Sequence, residues 1–404
     1  MKSQFSFRTN PNLALYLIVF FLVLYMINHV FNGRFNSYDF QVYYRAAERL
    51  LDGQNLYRIV SDGHYIFKYS PVSAVYFIPL SLLPLELAKV IYWLASSVAF
   101  CIVLVLIFRM GDPQKTISGP GKLNLLYIIS FICLGAFLEL EIHLGQVNIF
   151  ILLLLLVSAY CSLQDRPLMS GLLLALSIYL KPFGLILFAY YLYRSKFRDS
   201  LYFLLFTAVL LVLPLLFYGS FEMFIQQNRL WLQEIQIELN GKQDLLAPYN
   251  HTIFSVLARY TPLRWIEWTA TGTLVFQLVV LAVLGFLFIL LRISNRKKED
   301  IFPVELALVL CLIPLLAHTN KNLYMFCGMV NAVLLIRFFQ LHWVYRSLFI
   351  FGVLISSFNI IEIWGDELTF KLEAWSLIAL GTLISWIVLY VSSIQGLVRG
   401  SKDS

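Results

Sequence analysis

Few side chains in this 404-residue sequence can do chemistry, because only 13% of them are charged and 60% are apolar. Those few gather at particular places. Asp39 opens the stretch YDFQVYYRAAERLLDGQNLY, where it can serve as the N-cap of a helix starting at Phe40 or as a base that takes a proton from a substrate hydroxyl. The two roles can coexist. Further on, ELEIHLGQVNIF supplies Glu139, Glu141, His143, Gln146 and Asn148. On a helix Glu139 and His143 share a face, a pair that could ligate a metal. Two ligands at a solvent-facing turn read more simply as interfacial polarity, as does Glu141, and no metal is assigned. Gln146 and Asn148 enter an apolar run and are expected to face a cavity or another helix. Lys181, deep within SGLLLALSIYLKPFGLILF, either snorkels outward or meets an anion, since an unpaired buried ammonium tends to lose its proton. Asn250, His251, Thr252 and Arg259 in NHTIFSVLARY, and His318 in LAHTNKN, complete the set.

The apolar excess, against roughly 45–50% apolar and about 25% charged in a soluble domain, makes lipid the main solvent of the chain. It excludes a soluble enzyme, a disordered chain and a disulfide scaffold. Charge-free runs mark the spans, because one ionised side chain at mid-bilayer costs about 2.5–3.5 kcal/mol. Ten such runs, beginning between Arg8 and Arg34 and ending between Glu373 and Arg399, predict about ten crossings in a single membrane domain over residues 1–404. The first is longer than a signal-peptide core of about 7–15 residues and no small-x-small site follows it, so it is expected to remain as an anchor. With both termini on the cytoplasmic side, the inner loops collect Arg109, Lys115, Lys122, Arg166, Arg194, Lys196, Arg198 and the basic run at 296–298. This is the positive-inside pattern, and it accounts for the net charge of +7 without nucleic acid.

Residues 167–193 complicate the alternation. Read as one crossing, they would invert every later loop. Read as a hairpin bent at Lys181-Pro182, they keep both flanks inside, with arms of about 13 residues, roughly 20 Å each. The first outer loop, 33–70, is expected to hold a short amphipathic helix lying in the interface, with Gly53 at its C′ position. Pro71, Pro79 and Pro84 then break the following apolar run into a re-entrant element. The outer segment 219–264 is long enough to act as a lid. The five cysteines sit in apolar runs and read as buried small residues, not as bridges or metal ligands.

Taken together, YDF..YYRAAERLLDGQNLY…FKYSPVSAVYFIPLSLLP, LGQVNIFILLLLLVSAY, the SGLLLALSIYLKPFGLILF hairpin and NHTIFSVLAR resemble glycosyltransferase family 87. The resemblance covers about residues 37–320. It implies an all-α polytopic fold of the GT-C type with about 10–12 membrane helices. It further implies a polyprenyl-phosphate sugar donor and an inverting transfer of a hexose or pentose to a hydroxyl of a lipid or glycan acceptor, outside the plasma membrane of a bacterium. On this likeness Asp39 is the general base, and Tyr44, Arg45, Gln146, Asn148, Lys181, Asn250, Arg259 and His318 are the substrate-binding set. Lys181 would face the donor phosphate, and His251 departs from the family's usual Gln. No cofactor is expected, since Lys or Arg can neutralise a departing phosphate. A transporter would also use Lys181 and the broken element at 71–84, but it would place polar groups near mid-membrane, whereas here they gather on one face. An acyltransferase would want a histidine base, which His143 or His318 would have to supply.

Overall fold

The computed structural model describes residues 10–240, 244–265, 270–295, 301–317, 320–359 and 361–395. Among these the chain is built of helices, without a strand. In order they are α1 (Leu13–Phe31), α2 (Tyr38–Leu51), α3 (Pro71–Ser81), α4 (Leu85–Gly111), α5 (Pro120–Leu144), α6 (Asn148–Leu163), α7 (Pro167–Leu180), α8 (Gly184–Tyr193) and α9 (Phe197–Leu211). There follow α10 (Phe221–Asn240), α11 (Ile253–Tyr260), α12 (Ala270–Ser294), α13 (Phe302–Leu316), α14 (Gly328–Ile336), α15 (Trp343–Ser357), α16 (Ile361–Ala374) and α17 (Leu377–Ile394). Six helices among the described residues are long and apolar enough to cross a bilayer, and seven shorter apolar ones pack among them. Several runs expected to cross singly are therefore short helices. Lys321 to Arg337, for instance, is a 3-10 segment, Lys321–Cys327, continued by the nine-residue α14.

The stretch 167–193 is a bent pair. Lys181 has extended backbone and ends α7. Gly184 opens α8 so close to α7 that a Cβ there would lie 2.5 Å from Ser177 Oγ. At the far ends of the two helices Ser170 Oγ donates to Tyr191 Oη at 3.2 Å. Contacts at both ends make α7 and α8 antiparallel, so Arg166 and Arg194 lie at one end of the bundle and Lys181 at the other. Arg194 pairs there with buried Glu305 at 3.1 Å, which puts the start of α13 at the basic end and its finish, near residue 320, at the end holding Lys181. Small residues let other helices meet closely: a Cβ on Gly171 would fall 2.6 Å from Phe203 N of α9, and one on Gly381 of α17 would overlap Gly352 O of α15.

The segment 33–70 does form a helix, but its apolar face is covered by protein. Phe40 lies 4.6 Å, centroid to centroid, from Tyr92 of α4, and Tyr43 stacks on Phe77 of α3 at 4.7 Å. Aromatic residues on α3 and α4 supply the surface that the bare sequence assigns to lipid. Ser37 is the N-cap residue, in left-handed conformation, so Asp39 falls inside the first turn. Pro71 begins α3, where a missing N–H costs nothing, Ser70 caps it by accepting from Val72 N at 3.2 Å, and Pro84 precedes α4. At 11 residues α3 is about 16 Å long, too short to cross.

The segment 219–264 is not an open loop. It contains α10, which clamps the segment 33–70. Arg58 forks onto buried Glu234 at 2.5 and 3.0 Å, Lys68 reaches Glu238 at 2.6 Å, and Leu56 N donates to Gln227 Oε1 at 3.1 Å. Within the first loop Arg49 forks onto Asp62 at 2.6 and 2.7 Å.

Candidate active site

The site begins where α5 ends. Gly145 follows α5 at φ +71°, a left-handed position that favours glycine, and Gln146 N closes the turn on Glu141 O at 2.9 Å. A second constraint acts on the same glycine: a Cβ there would lie 2.7 Å from Phe40 Cβ. The first turn of α2 thus rests directly on the end of α5, and this brings Asp39 to Gln146. Tyr92 of α4 fixes the turn from below, its hydroxyl donating to Gln146 O at 2.7 Å.

Gln146 Nε2 donates to Asp39 Oδ2 at 2.5 Å, while Gln146 Oε1 accepts from Lys181 Nζ at 3.0 Å. Chemistry dictates this amide orientation, because a carboxylate only accepts and an ammonium only donates. Lys181 Nζ also donates to Asn148 Oδ1 at 2.9 Å. An ammonium has three N–H bonds, so the third has no acceptor among the described residues. Asn148 is held in turn by Glu141, whose side chain has no exposed surface. Its two oxygens accept from Asn148 Nδ2 at 2.8 Å, Ile149 N at 2.9 Å and Asn322 Nδ2 at 2.6 Å. The result is one continuous chain of bonds from Asp39 through Gln146, Lys181 and Asn148 to Glu141 and Asn322.

Asp39 is half-buried and borders a cavity of about 220 Å³ lined also by Tyr43, His64, Tyr65, Lys68 and Tyr69. Burial raises its pKa above the usual carboxylate value, while the Gln146 hydrogen bond and the Lys181 charge pull it down. A carboxylate so placed is a stronger proton acceptor than one in water. Tyr43 and Tyr69 join hydroxyls at 2.9 Å on the cavity wall. An apolar groove of about 340 Å³ also opens between α1 and α5, lined by Phe21, Leu22, Phe131 and Ile132, with Glu139 and Lys321 at its polar end. A larger cavity, about 870 Å³, is lined by Arg109, Lys115 and Tyr160 at the basic end and shares no residue with the Asp39 cluster.

Of the residues singled out in the sequence, the fold brings together Asp39, Gln146, Asn148 and Lys181. Others are engaged elsewhere. Tyr44, five positions along the helix from Asp39, donates its hydroxyl to Leu83 O at 2.8 Å. Arg45 turns to Gln41 at 3.4 Å and Asp62 at 3.7 Å. Buried Asn250 folds its own loop, accepting from Thr252 N and Oγ1 at 3.1 and 2.8 Å. Arg259 donates to the carbonyls of Leu246 and Ala247 and to Ser376 Oγ, tying α11 to the start of α17. His318 lies outside the described residues. The largest departure from the sequence reading is Glu141, which is not an interfacial carboxylate but the buried anchor of the network. A signal for it existed, since an acid in the last turn of a helix opposes the macrodipole and needs a partner. Asn322, His64 and Lys68 carried no comparable signal.

A bundle of membrane-crossing helices that gathers a carboxylate, an ammonium and bridging amides at one end defines an integral membrane protein with a polar site at its surface. Residues 67–260 match the family model of Glycosyltransferase family 87, so a membrane glycosyltransferase is the class that this stretch and the helical bundle support. The match takes in Gln146, Asn148, Lys181, Asn250 and Arg259 but begins after Asp39, whose place in the site rests on the geometry. No curated protein matches the chain.

Proposed function

We propose that the protein transfers a sugar from a polyprenyl-phosphate donor to an acceptor hydroxyl, with inversion, and that Asp39 is the general base. The observation that carries this reading is the shared amide of Gln146, which holds a carboxylate on one side and an ammonium on the other. Transfer from a lipid phosphosugar needs a base beside the attacking hydroxyl and a cation beside the departing phosphate, on the two sides of the anomeric carbon. Asp39 accepts the proton of the acceptor hydroxyl as its oxygen attacks the anomeric carbon. The bond from that carbon to the phosphate oxygen breaks on the opposite face, and the phosphate leaves with the electron pair. Lys181, with one N–H unassigned to protein, offsets the charge that grows on the departing phosphate. The apolar groove between α1 and α5 suits a lipid chain entering sideways from the bilayer.

The placement of basic residues supports an extracytoplasmic site. Arg109, Arg166, Arg194 and Lys196 flank helix ends away from Lys181 and Asp39, and such residues favour the cytoplasmic side. The sugar, the acceptor and the bacterial plasma membrane as location are part of the same proposal.

The test is a panel of polyprenyl-phosphate mannose, glucose and pentose donors offered to the purified chain in lipid nanodiscs with a hydroxylated lipid acceptor. Transfer from one donor by the wild type, lost in Asp39→Asn, is expected. Transfer from none of them, or full turnover by a folded Asp39→Asn variant, overturns the reading.

A further inference from the structure

On the face of α5 opposite Glu141, a second cluster stands apart from the Asp39 network. Glu139 and His143 are four residues apart on that face, and His29 reaches them from the last turn of α1. Their ligand atoms all lie within 4.8 Å of one another, and the two imidazole rings are 5.4 Å apart, centroid to centroid. His29 is only 6% exposed. Nδ1 of His29 and Nδ1 of His143 are both buried without a hydrogen-bond partner. Buried nitrogens of this kind are nearly always bonded, and here two of them occur in one cluster beside a carboxylate. Glu139 is oriented by Tyr25, whose hydroxyl donates to Oε1 at 3.0 Å.

We propose that His29, Glu139 and His143 bind a divalent metal ion, with zinc the first-row ion that suits them best. Two imidazoles and a carboxylate form a three-ligand set that leaves a fourth tetrahedral position for water or substrate. Zinc holds nitrogen and oxygen at about 2.0–2.2 Å, which places tetrahedral ligand atoms about 3.4 Å apart. Side-chain rotation of under about an ångström at each ligand closes the cluster to that size. The hydrogen bond from Tyr25 to Glu139 is the kind of outer contact that fixes a ligand's orientation. The ion would tie α1 to α5 ten residues before Asp39 and three before Gln146, near the ends of the two helices that lead into the Asp39 network. The sequence exposed only Glu139 and His143, because the third ligand is 110 residues earlier and arrives through helix packing alone.

The purified full-length chain is loaded with zinc chloride, desalted and assayed for metal by mass spectrometry. About one ion per chain is expected in the wild type, with the ion lost in His29→Ala and in His143→Gln and retained in His64→Ala, whose histidine lies outside the cluster. Tyr25→Phe is expected to keep the stoichiometry and weaken affinity about 10- to 100-fold. Should the histidine variants fail to fold, cobalt titration of the wild type decides: a tetrahedral visible spectrum, displaced by added zinc, supports the site. No retained metal in the wild type, or retention undiminished in folded His29→Ala and His143→Gln, overturns the proposal, as does a cobalt spectrum without tetrahedral bands.

Discussion

Asp39 and Lys181 do not touch; the side-chain amide of Gln146 stands between them, donating to one at 2.5 Å and accepting from the other at 3.0 Å. A direct ion pair would neutralise both groups and block the space where a substrate must sit. The bridging amide keeps the opposite charges in register and leaves each with a free side. Three parts of the chain far apart in sequence meet in this one contact, and the predictions below follow from it and from the packing that enforces it.

Replacing Asp39 with Asn keeps an acceptor for Gln146 and removes the base. Turnover is expected to fall about 10²–10⁴-fold, the usual contribution of a general base. Because burial raises the Asp39 pKa in the folded chain, the folded state holds this proton more tightly than the unfolded state. Stability therefore falls as pH rises from the ordinary carboxylate pKa through the raised one, and the full loss is present above it. Asp39→Asn should accordingly melt at a higher temperature than the wild type at neutral pH, and lose that advantage as pH falls towards the ordinary carboxylate pKa.

The pH dependence of kcat/KM carries a second prediction. Activity requires ionised Asp39, so it declines as pH falls through the raised pKa. The Gln146 hydrogen bond and the Lys181 charge hold that pKa down against burial. Gln146→Leu and Lys181→Met should each move the acid limb to higher pH. A limb that stays in place in both variants assigns it to another group.

Glu141→Leu removes a carboxylate that satisfies three buried donors, on Asn148, Ile149 and Asn322. Leaving such groups unpaired is expected to lower stability by about 3–5 kcal/mol. Denaturant titration in detergent measures this, and the loss should exceed that of Glu139→Leu on the opposite face of the same helix.

Gly145→Ala forces a Cβ to within 2.7 Å of Phe40 Cβ at a positive φ. A cost of about 1–3 kcal/mol is expected from the backbone and the clash, with α2 pushed off α5. Catalysis should suffer more than stability alone explains, since a shift of about 1 Å at a reacting group costs about 10²-fold. Gly63 also has a positive φ, +59°, but open space around it; Gly63→Ala should show the backbone strain and spare kcat.

The clamp between Arg58 and Glu234 tests the role of α10. Arg58 is half exposed, while Glu234 is buried, so a double-mutant cycle should give a coupling of about 1 kcal/mol. Glu234→Ala is also expected to loosen the 55–68 loop, which lines the Asp39 cavity, and to raise KM more than it lowers kcat.

Much of this protein is determined by its sequence alone. Sixty per cent apolar residues and long charge-free runs point to a membrane-embedded helical chain, because lipid leaves backbone groups only helix or closed-barrel partners and these runs lack the alternation of barrel strands. The scarcity of charge made Asp39, Gln146, Asn148 and Lys181 conspicuous, and the Lys181-Pro182 bend follows from proline's missing donor and the short arms on either side. What the sequence could not decide was which polar groups meet. Glu139 and Glu141 are two residues apart and look alike, yet a helix turns them to opposite faces, one towards His29 and the other into the buried network with Asn148 and Asn322. Arg259 and Asn250 matched a motif, but their atoms close a loop and tie it to α17. Tyr44 shares a helix with Asp39 and faces another way. Pairing across 107 residues, as between Asp39 and Gln146, is set by close packing at Gly145, and no local pattern encodes it.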